Sequence, residues 1–303
     1  MSLSSKTRVA VLRGGPSPSY DYSLKSGEHV LSTLREMSDT YDPIDIFISR
    51  DGEWHYGGLI QEPYQALRHV DVVWNALNGS YGADGQVQKV LESLKIPFTG
   101  SSAVTSAFTA NPEMTRRLYA QYGLLTPPHE VVSRKNFNEN RLVSIFRKYL
   151  HPVVIRTMNI DSAQNMIHTK TFEELKRVIR EALNYEPRVL VEEFMNGNEI
   201  SCSVLEGARG EKLYALLPIS RFDLPLKTEV NKQVEAMAKQ AHSTLGLRHY
   251  SSSNFIVTSK GNIYILETSS LPSLHKDSPM QKSLSATGWR PREFVSHILS
   301  LVK

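Results

Sequence analysis

The chain has 303 residues, 40% of them hydrophobic and 22% charged, with a formal net charge of +4 from 35 basic and 31 acidic side chains. That length can bury a core large enough for two or three lobes. So small and scattered a charge, without a stripe of interleaved Arg, Lys and aromatic residues, gives no argument for a nucleic-acid partner. A single cysteine, Cys202, excludes a disulfide framework and suits a reducing compartment. No segment is long and apolar enough to span a bilayer, and residues 1–6 carry no apolar signal core, so a cytoplasmic location is expected.

Arg8–Leu12 is a continuous apolar run ending in Gly14-Gly15, and a helix is expected from Ser23 to about Leu34. Strand, glycine turn and helix in that order open an α/β unit. Ile44–Ile48 and Val70–Leu77 supply further buried strands, Asp51-Gly52 marks a tight turn, and Gly85–Lys95 is helical, with Val87, Val90, Leu91 and Leu94 on one face. The glycine pair lacks the third glycine of a dinucleotide fingerprint, so a turn requirement explains it better than a phosphate does.

From Ser101 two helices are expected, the second from Pro112 to Tyr122 with Asn111 as its cap and Gly123 as its stop. Val153–Arg156 reads as a strand and Thr171–Leu183 as a helix. Val189–Val191 and Ile200–Leu205 read as strands joined by a turn at Asn196–Asn198, and Leu213–Pro218 as a third strand. A helix from Val230 to Leu245 stops at Gly246, and another starts at Pro291. Cys202 alternates within a half-buried strand and reads as a small core residue rather than a nucleophile.

Two apolar runs near the C-terminus, Ser253–Val257 and Asn262–Leu266, form a strand pair turned at Gly261-Asn262. Glu267 and Ser269 then share one face, and Asn254 faces them across the ladder. The arrangement resembles the magnesium site of ATP-grasp ligases. Arg13–Gly15, Ser23–Gly27, Asn75–Gly79, Asp84-Gly85, Ile96–Ser101, Val191-Glu192, Asn196–Glu199 and Leu266–Pro272 occur in the order found in D-alanine–D-alanine ligases. This resemblance spans nearly the whole chain. It implies an ATP-grasp fold of mixed α/β and α+β class, with an N-terminal open-sheet α/β domain over 1–100 and two lobes, 101–186 and 187–303, clasping ATP.

The family joins two D-alanines after ATP phosphorylates one carboxylate, chemistry that needs concentrated positive charge. The resemblance gives Glu192 and Glu199 the adenine and ribose contacts, Arg156 the place of a phosphate-binding Lys, and Ser278 a second-substrate contact. It gives Asn254, Glu267 and Ser269 the magnesium positions, where the family has Asp, Glu and Asn. Elsewhere the pattern departs. Ser19 stands for a Glu that holds an amine, Ser252 for an Arg that holds a carboxylate, Asn78 for a His, Ser273 for a Gly, Glu193 for a Lys beside the adenine pocket, and Asn111-Pro112 for an Asp-Lys. The phosphate-covering loop aligns with the glycine-free Thr157–Gln164, and the lid over Ile219–Thr228 is short.

These substitutions lead to the expectation of a ligase-like pseudoenzyme with impaired or lost ligation and weak binding of ATP and Mg2+. The alternative is an active, divergent carboxylate–amine ligase. An oxidoreductase built on the first α/β unit has little support. Expected partners are small molecules, ATP and an amino acid, with no nucleic acid and no membrane; the resemblance also allows a homodimer.

Overall fold

The computed structural model describes residues 6–158, 166–222 and 225–302. Its first sheet contains β1 (Thr7–Gly14), β2 (Tyr41–Ile48), β3 (Trp54–Tyr56), β4 (Leu59–Ile60) and β5 (Val72–Asn75), in the order β4-β3-β2-β1-β5. β1 runs parallel to both β2 and β5. That central place explains its unbroken apolar run, because both faces are covered and Val9, Ala10, Val11 and Leu12 are fully buried. α1 (Tyr20–Arg35) packs Val30, Leu31 and Leu34 against Val9 and Val11. On the opposite face α3 (Gln86–Ser93) packs Val87 and Leu91 against Ala10 and Leu12, and the short α2 (Pro63–Ala66) contributes Ala66. Gly14 has φ +93°, and a Cβ there would stand 2.2 Å from the Ile48 carbonyl oxygen. The glycine therefore serves the turn and the close approach of β2.

α4 (Ala103–Thr109) and α5 (Pro112–Gln121) follow, the latter capped by Asn111, whose side-chain oxygen accepts from the amides of Glu113 and Met114. The second sheet comprises β6 (His129–Ser133), β7 (Val153–Thr157), β8 (Ile167–Thr169) and β9 (Arg188–Glu193) in the order β6-β9-β7-β8. α6 (Glu139–Lys148) and α7 (Phe172–Tyr185) share its core through Leu142, Ile145, Leu175 and Ile179.

Several expectations change in this region. β9 pairs with β6 and β7, so the division after residue 186 comes one strand too early. Asn196–Asn198 is not a hairpin turn, because Gly197 and Asn198 already belong to β10 (Gly197–Glu206), which lies in a different sheet. Local turn residues cannot distinguish a hairpin from a crossing between sheets. α4 and α5 were expected in the small lobe, but they pack against α8 (Thr228–Leu245), and Tyr119 and Leu124 enter the core of the third sheet. β6, β8 and α6 were not anticipated. α6 buries only Leu142 and Ile145, a stripe too thin to stand out as helical periodicity.

The third sheet is antiparallel and joins β10, β11 (Leu213–Ala215), β12 (Ile219–Ser220), β13 (Tyr250–Thr258) and β14 (Ile263–Ser269), with β11-β10-β13-β14 as its main order and β12 paired to β10. The strand expected over Leu213–Pro218 thus ends at Ala215. α8 stops at Gly246, in the left-handed region at φ +65°. β13 turns into β14 through Gly261, and the Thr258 amide donates to the Asn262 carbonyl at 2.9 Å. α9 (Pro279–Ala286), also unanticipated, precedes α10 (Pro291–Leu301). Cys202 is fully buried on β10, and burial pushes its thiol well above the usual range.

The first and third sheets share one core. Trp74 of β5 lies 6.0 Å from Phe294 of α10 and 6.4 Å from Tyr250 of β13, measured between ring centroids. Such aromatic contacts typically contribute about 0.5–1.5 kcal/mol each beyond their buried area. His249 ties the same seam. Its Nδ1 accepts from the Gly100 amide at 3.0 Å, and its own amide donates to Glu206 Oε2 at 2.6 Å.

Burial, with the neighbouring Arg248 guanidinium, lowers the His249 pKa from 6.5 to about 4. The unfolded chain therefore binds this proton more tightly than the folded one, and stability falls as pH drops from 6.5 towards 4. The loss over that window should reach up to about 3 kcal/mol. Urea midpoints measured at pH 7, 5.5 and 4.5 check this. His249→Asn, which tolerates the left-handed backbone at φ +66°, should flatten that part of the profile; an unchanged slope would reject His249 as its source.

Candidate functional site

Three elements from the second and third sheets, together with α5, bring an ionic chain to one place. On β7 and β9, Val154 stands opposite Glu192, and Arg156 lies two residues from Val154, so Arg156 and Glu192 project from the same face. Arg156 Nε lies 2.6 Å from Glu192 Oε2, and Arg156 NH1 lies 3.5 Å from Glu267 Oε2. Arg116 of α5 pairs with the other oxygen of Glu192. Arg116, Glu192 and Arg156 are 1%, 2% and 5% exposed, whereas the Glu267 side chain keeps 39%. Burial lowers the pKa of Arg116, partly offset by the Glu192 charge.

On the third sheet, Asn254 of β13 stands opposite Glu267 of β14, and its amide nitrogen donates to Glu267 Oε1 at 3.0 Å. A bulge follows Asn254 and leaves Glu267 and Ser269 on the face that also carries Ser252. Ser252 lies 3.0 Å from the Ser201 hydroxyl and 3.1 Å from that of Ser203. These elements border a cleft of about 430 Å³ lined by Arg156, Glu199, Asn254 and Glu267, with apolar walls from Met166, Ile200, Phe255 and Leu266. Arg221, Asp277 and Lys282 reach it as well, giving three cations and three carboxylates.

Of the seven site residues expected from sequence, Arg156, Glu199, Asn254 and Glu267 come together at this cleft. Glu192, expected to contact the adenine, does not line it; both its oxygens are paired with the buried Arg116 and Arg156. Glu199 is paired with Arg221 at 2.6 Å. Ser278 is 1% exposed and caps α9, accepting from the Gln281 amide at 3.3 Å. Ser269 accepts from the Leu271 amide at 3.2 Å. Arg116 was not anticipated. Its only signal is helical phase, three residues before the buried Tyr119 on the inward face of α5. Residues 159–164 of the expected phosphate-covering loop, and 223–224 of the lid segment, lie outside the described residues.

The family model of the D-ala D-ala ligase C-terminus matches residues 118–221 and 219–300. A D-alanine–D-alanine ligase of Geobacter sulfurreducens is 30% identical over 285 residues, covering 88% of this chain and 85% of that protein. The chain belongs to the D-alanine–D-alanine ligase family. A second such ligase, from Mannheimia succiniciproducens, is 26% identical and is covered over 97% of both chains. The D-alanine–D-alanine ligase of Coxiella burnetii superposes with a TM-score of 0.87 at 22% identity, covering 98% of this chain and 95% of that one. The ligase of Bacillus anthracis complexed with ATP gives a TM-score of 0.81 at 21% identity, covering 97% and 96%. These likenesses establish the ATP-grasp fold.

Asn254, Glu267 and Ser269, at the positions expected to hold magnesium, make a weak donor set. A hard divalent cation wants several oxygen ligands, preferably charged. Asn254 offers an amide turned with its nitrogen towards Glu267, Ser269 a hydroxyl already accepting from backbone, and Glu267 the set's one carboxylate, with a guanidinium beside it. Among the described residues no cluster of three or more acidic, histidine or cysteine side chains could hold a metal. These residues do not fit magnesium.

The side chains expected on the substrate side are likewise engaged within the protein. Asn78 donates to the Leu271 carbonyl at 3.2 Å and accepts from Ser26 at 3.1 Å, and Ser26 also meets Ser273 at 3.0 Å. Ser19 is buried, and its amide donates to Ser17 Oγ at 3.0 Å.

Proposed function

We propose that this chain is a D-alanine–D-alanine ligase-like protein whose ligation is impaired or lost and which retains weak nucleotide binding in the cleft beside Arg156. The observation that carries this reading is the commitment of Arg156 to Glu192 and Glu267. The cation at the phosphate position is already paired with two carboxylates, one of them shared with Arg116, and Glu267 is the single carboxylate of the expected metal set. Incoming polyphosphate must compete with them. The engaged Ser252, Asn78 and Ser273 support the same reading on the amino-acid side.

A reducing cytoplasm suits the single, buried Cys202. A homodimer is an expectation carried by the family alone, and light scattering on the eluted protein reads it directly.

The deciding experiment supplies the unmodified protein with saturating Mg-ATP and D-alanine, follows phosphate release, and separates the products chromatographically for dipeptide. Calorimetric titration of ATP measures the nucleotide site separately. Dipeptide formation at a rate typical of cell-wall ligases would favour the second reading, an active divergent carboxylate–amine ligase, which the presence of both Arg156 and Glu267 at the cleft supports.

A further inference from the structure

The unusual feature of the cleft is what holds Glu267. Asn254 donates to one of its oxygens at 3.0 Å and Arg156 faces the other at 3.5 Å. Both oxygens are thereby met by donors of the protein itself. Arg156 is not free to leave, because its Nε also pairs with the buried Glu192. A guanidinium can serve two carboxylates from adjacent edges in this way, while an ammonium is a single point of charge.

We infer that the Arg156 guanidinium stands in for a divalent cation at Glu267, and that anions entering the cleft bind without metal by exchanging with Glu267 for Arg156. Deeper in the protein, Arg116 and Arg156 place two positive charges around the one carboxylate of Glu192. All three side chains are 5% exposed or less, so water screens their charges little. The buried part of the network, two guanidinium groups around one carboxylate, is therefore net positive, and the half-exposed Glu267 offsets it. An anion such as a nucleoside polyphosphate can take over that balance, whereas a divalent cation beside Arg156 would add to the excess. The nucleotide part of this inference rests on the function proposed above; the metal part does not.

Two probes separate these parts. Manganese alone, followed by electron paramagnetic resonance of the free ion, should show no specific site on the unmodified protein at millimolar concentration. Arg156→Met combined with Asn254→Asp should tighten manganese binding at least about tenfold, since it removes the competing cation and adds a carboxylate. If that variant fails to fold, Arg156→Lys with Asn254→Asp preserves a partner for Glu192 and should move binding in the same direction. Stoichiometric manganese binding by the unmodified protein, abolished by Glu267→Gln, would overturn the inference.

In the second arm, ATP is titrated calorimetrically with excess EDTA and then with magnesium. The two dissociation constants should agree within about threefold, and a loss of tenfold or more in EDTA would again overturn it. Absence of ATP binding in both conditions would reject metal-free nucleotide binding and the nucleotide reading, while the manganese arm would still decide what occupies Glu267.

Discussion

Glu192→Gln should lower the unfolding free energy by about 3–5 kcal/mol, the usual cost of removing one partner from a buried ion pair. The residue sits 2% exposed between Arg116 at 1% and Arg156 at 5%. Neutralising it leaves two like charges out of water with Glu267 as the remaining counter-charge, and a glutamine cannot compensate both guanidinium groups. Against a typical stability of about 5–15 kcal/mol such a loss is severe. Asp71→Asn provides the contrast. It breaks the Arg8–Asp71 pair at 2.8 Å, where both side chains are 42% exposed, and should cost far less, because water screens an exposed pair. Urea denaturation of the two variants beside the unmodified protein measures the difference. Equal losses would mean that Glu192 is not the charge centre of the network. Replacing Arg116 and Glu192 together by Met and Leu should recover part of the loss, because one of the two buried cations is removed with the carboxylate and Glu267 remains beside Arg156.

The second large effect is on chemistry. The unmodified protein should form D-alanyl-D-alanine at least about four decades more slowly than an active ligase, because four charge-assisted contacts at about 1.5–3 kcal/mol each sum to some 6 kcal/mol or more. The four are the amine contact replaced by Ser19, the carboxylate contact replaced by Ser252, the metal contact replaced by Asn254 and the phosphate contact at Arg156. Of these, Arg156 keeps its charge but is tied to Glu192 and Glu267. Ser252 cannot make the bidentate carboxylate pair of an arginine and is instead held by Ser201 and Ser203. Asn254→Asp alone should therefore leave dipeptide formation below detection even where it changes metal binding. Product separation after prolonged incubation with D-alanine and Mg-ATP reads this directly, and a dipeptide yield from Asn254→Asp approaching that of an active ligase would show that the metal position alone limited the reaction.

Much of the frame was legible in the residues because the signals involved are local. The β1 apolar run, the Gly14-Gly15 turn, the Asn111-Pro112 helix start, the Gly246 stop and the Gly261-Asn262 hairpin each depend on a few neighbouring residues whose backbone preferences are strong. The opposition of Asn254 and Glu267 followed from strand periodicity across that hairpin. Tertiary structure decided the remainder. β9 could have joined the strand after it or the sheet before it, and only long-range pairing with β6 and β7 assigns it. Arg116 is one of two adjacent arginines, and nothing local says that it turns inward to Glu192 while Arg117 reaches Glu113 on the surface. The same holds for Glu192 and Glu267. A carboxylate at a strand end looks alike in sequence whether it faces water, a nucleotide or an arginine, because charge pairing depends on which distant segments the fold brings within a few ångströms.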